Sequence, residues 1–302
     1  MARRRSGRPV HGWLIIDKPA GPSSAAVVAK ARWALKAAKA GHAGTLDPAA
    51  TGLLAVALGE ATKTVPYVMD ARKAYRFVVR WGVETATDDA EGAALATSDA
   101  RPEPEAIRAA LGAFRGDILQ VPPQVSAVKV DGARAYALAR AGEAVELAAR
   151  PLHVERLELV ETPDADTAVL EMTCGKGGYV RAIARDLGRA LGCFGHVAGL
   201  RRLWSGPFDL GEATAFDDLE PLARAGELEA RLLPVSAALA GLPRLDVPAA
   251  AEPLLRNGNP APLPGAGLAE GEAAWAGEPD RPLVVGAWRG GALRPERVFV
   301  YD

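Results

Sequence analysis

Asp47 stands in the segment GHAGTLDPAATG, in which glycines lie on both sides of an Asp-Pro pair. Pro48 pushes the backbone of Asp47 toward extended conformations, and glycine adopts conformations that other residues avoid. This composition predicts a shaped loop rather than a helix or strand. The carboxylate can be an exposed turn-forming group, the commoner case for a lone Asp-Pro, or a nucleophile held in place for covalent catalysis.

Other residues with reactive or aromatic side chains are more ambiguous taken alone. Arg181, Arg185 and Arg189 follow each other at four-residue spacing, which places them on one face of a helix and is typical of a solvated surface. Tyr75 lies in an alternating strand-like segment, where an aromatic side chain usually belongs to the core. The two cysteines form no CxxC pair and the four histidines are scattered, so the sequence predicts neither a metal site nor any cofactor.

Charge is distributed unevenly, although the net charge is only −1. Residues 1–40 contain nine Lys or Arg and one acid, and residues 176–202 contain six and one, whereas residues 203–260 contain nine acids and four bases. Two basic segments on one surface would suit RNA phosphates, although solvated helix faces explain them equally well. The sequence contains no apolar run long enough for a membrane span and no signal-like start, which predicts a cytoplasmic protein.

The elements that would position these residues alternate irregularly between strands and helices. GWLIIDKP reads as a buried strand, and Ser23 or Ser24 can cap a helix through AAVVAKARWALKAAK. Further strands are predicted in AYRFVVRWG, HVERLELVE and TAVLEMTC, and helices in EPEAIRAALGAFRG and YVRAIARDLGRALG. No βαβ repeat is present, so we expect an α+β fold with a mixed, largely antiparallel central sheet and flanking helices.

The chain beyond residue 240 changes character. A Pro-rich stretch over residues 242–264 precedes short strand-like pieces such as PLVVGAWRG and RVFVYD. This pattern predicts a small β-rich C-terminal domain, the alternative being an extension of the main sheet.

Several segments in the same order resemble the TruB family of pseudouridine synthases. They are KPAGPSS, GHAGTLDPAATG, LGEATK, KAYRFVVRWGVETATDDAEG, FRGDILQVPPQVSAVKVDGARAYALARAG and CGKGGYVRAIARDLGRALGCFGHVAGLRRLWSGPF, which together cover residues 11–211. One departure is Gly178, where many members have Thr. The resemblance implies a pseudouridine synthase fold, and NGNP at 257–260 resembles a PUA-like RNA-binding domain. The domains it implies are a basic tail at 1–10, a catalytic domain at 11–240 with an RNA-gripping insertion at about 123–150, and a PUA-like domain at 241–302.

The resemblance also implies roles for individual residues. Asp47 matches the catalytic nucleophile, Arg181 its positively charged partner, and Tyr75 the tyrosine that stacks on the flipped base and assists with the proton at C5. His42, Tyr179 and Leu200 match residues that bind or replace the extruded nucleotide. Lys18 matches a residue that supports the catalytic loop, and the residues of the insertion that would contact phosphates are Lys129, Arg134 and Arg140.

The implied reaction is isomerisation of uridine to pseudouridine at position 55 in the T loop of tRNA. It breaks the bond from N1 to C1′ and rejoins the base through C5, so it needs no cofactor; whether Asp47 attacks C1′ or C6 stays open. The expected partner is the T arm of tRNA, and we expect a monomer. Alternatives are the same chemistry on another RNA, or an RNA-binding or tRNA-folding protein with secondary catalysis. Glycoside hydrolysis by two carboxylates is disfavoured, because the matched motifs provide no second acid.

Overall fold

A computed structural model describes residues 7–126, 129–130, 133–134, 147–263 and 267–301. The chain forms two compact units. We call Ala71–Leu203 the middle unit, and Met1–Asp70 with Trp204–Asp302 the terminal unit. The α-helices in the described ranges are α1 (Ser24–Ala34), α2 (Val65–Asp70), α3 (Pro104–Ala110), α4 (Val180–Ala190), α5 (Leu219–Ala225) and α6 (Glu252–Arg256).

The strands of the described residues follow the same chain numbering. The first nine are β1 (Gly12–Lys18), β2 (Ala40–His42), β3 (Thr51–Leu58), β4 (Lys73–Trp81), β5 (Val83–Thr85), β6 (Ala94–Thr97), β7 (Gly116–Gln120), β8 (Lys129–Val130) and β9 (Ala133–Arg134). The next five are β10 (Arg150–Asp164), β11 (Thr167–Cys174), β12 (Gly195–Ser205), β13 (Phe208–Asp209) and β14 (Thr214–Ala215). The last five are β15 (Arg244–Leu245), β16 (Ala261–Pro262), β17 (Ala273–Gly277), β18 (Pro282–Arg289) and β19 (Ala292–Val298).

The sheet of the middle unit has the strand order β12–β4–β11–β10–β7. β4 is antiparallel to β11, β11 to β10 and β10 to β7, with Tyr75 opposite Met172. Alternate residues of β4 point inward because a strand has a two-residue repeat, and helix α4 covers that face with Val180, Ile183 and Leu187. The result is a helix-on-sheet core that fixes the backbone of both β4 and α4.

The terminal unit begins with β1, which pairs antiparallel with β3 and parallel with β14. Ser23 caps α1 by accepting a hydrogen bond from the Ala26 amide at 3.2 Å. The sequence pattern predicted this helix through Lys39, but it ends at Ala34, since Lys36 adopts a left-handed conformation with φ of 51° that an α-helix cannot continue.

A separate sheet forms the C-terminal part of the terminal unit, in the order β15–β17–β18–β19–β16. Trp275 and Val285 of this sheet, with Phe299 directly after β19, share a buried cluster with Trp13 and Leu53, among others. The prediction of an α+β fold with a β-rich C-terminal region is confirmed, whereas the exact domain bounds stay a prediction. Among the helices of the described ranges, none is both long and apolar enough to cross a bilayer.

Candidate active site

The loop that carries Asp47 is held by Ser24 at the first turn of α1. The Ser24 hydroxyl donates to the carbonyl of Leu46 at 2.8 Å and accepts from the Leu46 amide at the same distance. On the other side of Asp47, the Gly21 amide donates to the Pro48 carbonyl at 2.9 Å. Both backbone groups of the residue before Asp47 are therefore fixed by one side chain, and the half-buried aspartate follows directly.

Lys18 holds the same loop from the end of β1. Its side chain is fully buried, and Nζ donates to the carbonyls of Pro19 at 2.9 Å, Pro48 at 2.9 Å and Ala50 at 2.6 Å. Burial lowers the pKa of Lys18, and the negative charge of Asp47 opposes that shift. An ammonium group has three donors, so these carbonyls use all of them and bind the loop beyond Asp47 to β1.

His42 is the last residue of β2 and pairs with Val56 of β3. It is half-buried. The loop from Ala43 to Ala50 begins immediately after it, so the β2–β3 pairing fixes both ends of the segment that contains Asp47.

Three arginines on α4 face three acids on the segment that follows β4. The pairs are Arg181 with Asp89, Arg185 with Asp88, and Arg189 with Glu84, at nitrogen–oxygen distances of 3.4, 2.9 and 2.6 Å. Arg181 and Arg185 are each only 7% exposed, so the interpretation of this helical face as a solvated surface was wrong for these two residues. The four-residue spacing of the arginines matches an internal row of acids instead.

Arg181 also donates hydrogen bonds to two backbone carbonyls, those of Thr87 at 2.9 Å and Val125 at 3.0 Å. Its partner Asp89 is equally constrained, because the Thr87 hydroxyl and the Glu91 amide donate to Oδ1 while Oδ2 faces Arg181. Sequence reasoning missed Asp89. The available signal was the acid pair in TATDDAEG combined with the periodic arginines of α4.

Asp88 forms the second pair of the row and has an unusual environment. It is 6% exposed and adopts a left-handed backbone conformation with φ of 58°. Burial raises the pKa of Asp88 to about 6, although the neighbouring Arg185 favours its charged form. Arg185 is also bound by Asp186 at 2.8 Å, so it does not depend on Asp88 alone.

Tyr179 is the residue before α4, and the buried side chain of Gln120 binds its backbone on both sides. The Tyr179 amide donates to Oε1 of Gln120 at 2.9 Å, and Nε2 of Gln120 donates to the Tyr179 carbonyl at 3.0 Å. The preceding residue must be small in this chain, since a Cβ on Gly178 would lie 2.5 Å from the Cys174 sulfur. The departure at Gly178 thus has a local steric reason, and Gln120 was not found from the sequence.

Tyr75 and Leu200 lie on neighbouring strands of the middle unit. Tyr75 is 8% exposed and belongs to the core cluster, against which the half-buried Leu200 packs. The Tyr75 hydroxyl is hydrogen-bonded to Arg202, a fully buried arginine that sequence reasoning also missed. The ring is therefore part of the core, as expected for an alternating strand, but its polar end has a charged partner.

The residues predicted to contact RNA fall in the segment 123–150, which the structure describes only in part. Lys129 and Arg134 are paired residues of the two-stranded β8–β9 sheet. Arg140 lies outside the described residues. Of the remaining predicted residues, the terminal unit contains Lys18, His42 and Asp47, and the middle unit contains Tyr75, Tyr179, Arg181 and Leu200.

Family models place the chain among known proteins. Residues 32–180 match the TruB family pseudouridylate synthase N-terminal domain, and residues 181–240 match the tRNA pseudouridylate synthase B C-terminal domain. The chain is 60% identical over 299 residues to tRNA pseudouridine synthase B of Dinoroseobacter shibae, covering 99% of this chain and 98% of the relative. It is 61% identical over 297 residues to the protein of the same name from Paracoccus denitrificans, covering 98% of each.

Solved structures give the same result for the fold. A Cbf5–Nop10–Gar1 complex contains a chain that superposes with a TM-score of 0.74 at 27% identity, covering 96% of this chain and 85% of that one. The archaeal box H/ACA sRNP Nop10–Cbf5 complex gives a TM-score of 0.74 at 25% identity, with 99% and 93% covered. The chain has the fold and the motifs of a pseudouridine-forming isomerase. It belongs to the TruB family of pseudouridylate synthases.

Proposed function

We propose that the protein isomerises uridine to pseudouridine at position 55 in the T loop of tRNA, with Asp47 as the nucleophile. Family membership supports the reaction class, and the name shared by the relatives, tRNA pseudouridine synthase B, supports tRNA as the substrate. The proposal thus adds the target position and the catalytic residues to what the family alone conveys.

The reaction defines what the chain must supply. The bond from N1 to C1′ breaks, the uracil turns, and a bond from C5 to C1′ forms while C5 loses a proton and N1 gains one. Atoms and electrons balance without an oxidant, a reductant or an energy donor. The protein must therefore supply an ionised nucleophile, a pocket for the turned base, and a route for one proton.

The observation that carries the proposal is the fixation of the backbone around Asp47. Ser24 binds both backbone groups of Leu46, and Lys18 binds the carbonyls of Pro48 and Ala50. A turn-forming aspartate on the surface needs no buried lysine to hold its loop. A reaction is faster, however, when the approach of the nucleophile to the reacting carbon is fixed in advance. Lys18 therefore acts as the support of the catalytic loop.

The middle unit supplies the remaining proposed roles. Arg181 is the positively charged partner of Asp47, and Asp89 and two backbone carbonyls hold its guanidinium in place. Tyr75 stacks on the flipped base and assists with the proton at C5, and Tyr179 and Leu200 complete the pocket for the base. His42 helps to occupy the space that the extruded nucleotide leaves.

RNA recognition outside the pocket is proposed from the same family membership. We propose that the insertion at about 123–150 grips the RNA stem, with Lys129, Arg134 and Arg140 as phosphate contacts, and that the segment 241–302 is a PUA-like RNA-binding domain. The catalytic domain would then be 11–240, preceded by the basic tail at 1–10. The partner is the T arm of tRNA, bound by a monomer in the cytoplasm.

The test is release of tritium from an unmodified tRNA transcript labelled at uridine C5, followed by mapping of the modified position. We expect release confined to the T-loop uridine. Asp47→Asn should abolish it while leaving tRNA binding intact, because an amide oxygen is a poor nucleophile. The matched control is Asp99→Asn, an exposed aspartate that should keep wild-type release.

Each alternative gives a different result in this experiment. Release from another uridine would mean that the protein catalyses the same reaction at a different position. Tight binding of tRNA without release would favour an RNA-binding or tRNA-folding function. Substantial turnover by Asp47→Asn would reject Asp47 as the nucleophile.

A further inference from the structure

Arg202 is a buried cation that the proposed mechanism does not use. It is 1% exposed and is one of the largest fully buried side chains of the described residues. Removing a guanidinium from water is costly unless hydrogen bonds and charges inside the protein compensate. An arginine at such a position therefore needs a specific reason, which its contacts should reveal.

The strand around Arg202 directs it toward Tyr75. Successive side chains of a strand alternate between faces, so Arg202 lies on the same face of β12 as Leu200, which packs against the core cluster that includes Tyr75. β4, which carries Tyr75, is the neighbour of β12 in the sheet. The side chains of Arg202 and Tyr75 are hydrogen-bonded, and the contact joins two adjacent strands of the middle unit.

The direction of this hydrogen bond is fixed by chemistry. A guanidinium only donates, so the phenolic oxygen of Tyr75 must be the acceptor. The hydroxyl's own hydrogen then points away from Arg202. Burial lowers the pKa of Arg202 and the contact with Tyr75 opposes that shift, so the bond favours the charged guanidinium.

Packing holds the ring of Tyr75 but not the orientation of its hydroxyl group. The ring is packed in the core cluster at 8% exposure, with Met172 opposite it on β11. Packing restricts the ring plane but does not define where a hydroxyl hydrogen points. A hydrogen-bond donor on the neighbouring strand restricts the directions in which that hydrogen can point.

We propose that Arg202 is a positioning residue for the isomerisation, which orients the Tyr75 hydroxyl by donating a hydrogen bond to its oxygen. This inference rests on the proposed function and assigns a role to a residue that none of the matched motifs singles out. Arg202 acts through Tyr75 and does not itself contact the substrate. The competing explanation is that Arg202 only stabilises the sheet.

The test is a double-mutant cycle measured as single-turnover pseudouridine formation with saturating tRNA. We expect Arg202→Met and Tyr75→Phe each to slow the reaction by about tenfold or more while tRNA affinity changes by less than about threefold. If Arg202 acts through the hydroxyl, the double variant should be no slower than the slower single variant. A purely structural arginine would give losses that multiply, and that result would overturn the proposal.

Two further variants distinguish a slower reaction from a folding defect. Arg202→Lys keeps the charge with fewer donors and should retain an intermediate rate, and Arg80→Met is a matched control at an exposed position of β4 that should react like the wild type. Rates are compared well below the melting temperature of each variant. If Arg202→Met does not fold, the cycle is measured with Arg202→Lys instead.

Failure of the inference and failure of the proposed function give different results. If the wild-type protein forms no pseudouridine, the proposed function is rejected. If the wild type is active but the losses multiply, or if Arg202→Met reacts within about twofold of the wild type, only the role of Arg202 is rejected.

Discussion

Arg181 and Asp89 form an ion pair inside the middle unit, with Nη1 of the arginine 3.4 Å from Oδ2 of the aspartate. Because Asp89 is itself fixed by Thr87 and Glu91, the pair sets the position of the guanidinium rather than only neutralising it. Positive charge at Arg181 is part of the proposed mechanism. The position of that charge therefore depends on Asp89.

Asp89→Asn should slow pseudouridine formation by about tenfold, a change in activation free energy of about 1.4 kcal/mol. Binding of tRNA should change little, since Arg181 keeps its hydrogen bonds to the carbonyls of Thr87 and Val125. Single-turnover rates and filter-binding affinities separate the two effects. Glu91→Gln, at an exposed acid two residues further on, is the control, and an equal loss of rate in both variants would contradict the prediction.

Asp88 should make folding stability depend on pH in a specific window. Its pKa is about 6 in the folded protein and 3.8 as the ordinary value, so the folded state binds the proton more tightly. Its contribution to the free energy of unfolding therefore rises as pH falls from 6 toward 3.8 and is absent well above pH 6.

The Asp88→Asn variant isolates this contribution. The free energy of unfolding of the wild type, minus that of Asp88→Asn, should be about 2 kcal/mol larger near pH 4.5 than at pH 7. Urea titrations of both proteins at the two pH values measure it. A difference that is constant with pH, or that grows toward neutral pH, would show that the carboxylate is not destabilised by burial.

Lys18→Met should weaken both the fold and the reaction. Three carbonyls would lose their buried donor, and each unsatisfied group costs about 1 to 3 kcal/mol, so we expect a loss of at least about 3 kcal/mol in the free energy of unfolding. Pseudouridine formation should also slow, because the loop on the far side of Asp47 is released. Lys36→Met, at an exposed lysine, is the stability control, and a Lys18 variant as stable as this control would remove the proposed support.

Gly178→Ala should be destabilising because its new methyl group would meet the sulfur of Cys174 at 2.5 Å and a Leu152 methyl at 3.3 Å. Strain of this kind costs about 1 to 3 kcal/mol. Burial raises the pKa of Cys174 to about 12, so the sulfur is a neutral thiol and the contact is purely steric. Thermal melts of Gly178→Ala, Cys174→Ala and the double variant give the test, and strictly additive losses would rule out the clash.

The sequence predicted the main strands, α4 and the Asp47 loop because each carries a local signal, such as strand alternation or Gly and Pro at a turn. It could not predict the donors that hold the site. Gln120 binds the backbone of Tyr179, which lies 59 residues later in the sequence. Arg181 pairs with Asp89, which lies more than 90 residues earlier. Such pairings follow from the order of strands in the sheet, which no local pattern encodes.

The basic segment 176–202 illustrates the same limit. It was interpreted as a possible RNA-binding face, but Arg181, Arg185 and Arg202 within it are buried and bind groups of the protein. Charge counted along a sequence cannot distinguish an arginine that meets phosphate from one that meets an internal carboxylate. The exposed Lys176 is the member of the segment best placed to contact solvent or RNA.

Binding of tRNA should weaken with salt in proportion to the exposed cations alone. Each phosphate contact contributes about 0.7 to 0.9 to the slope of log affinity against log salt concentration. Lys176→Gln should therefore reduce the slope by about that amount. It should weaken binding to the same extent for every tRNA sequence. Arg108→Gln, on α3 outside both basic segments, should leave the slope unchanged. Filter-binding titrations over a range of salt concentrations measure both variants. Equal slopes for Lys176→Gln and the wild type would mean that Lys176 contacts no phosphate.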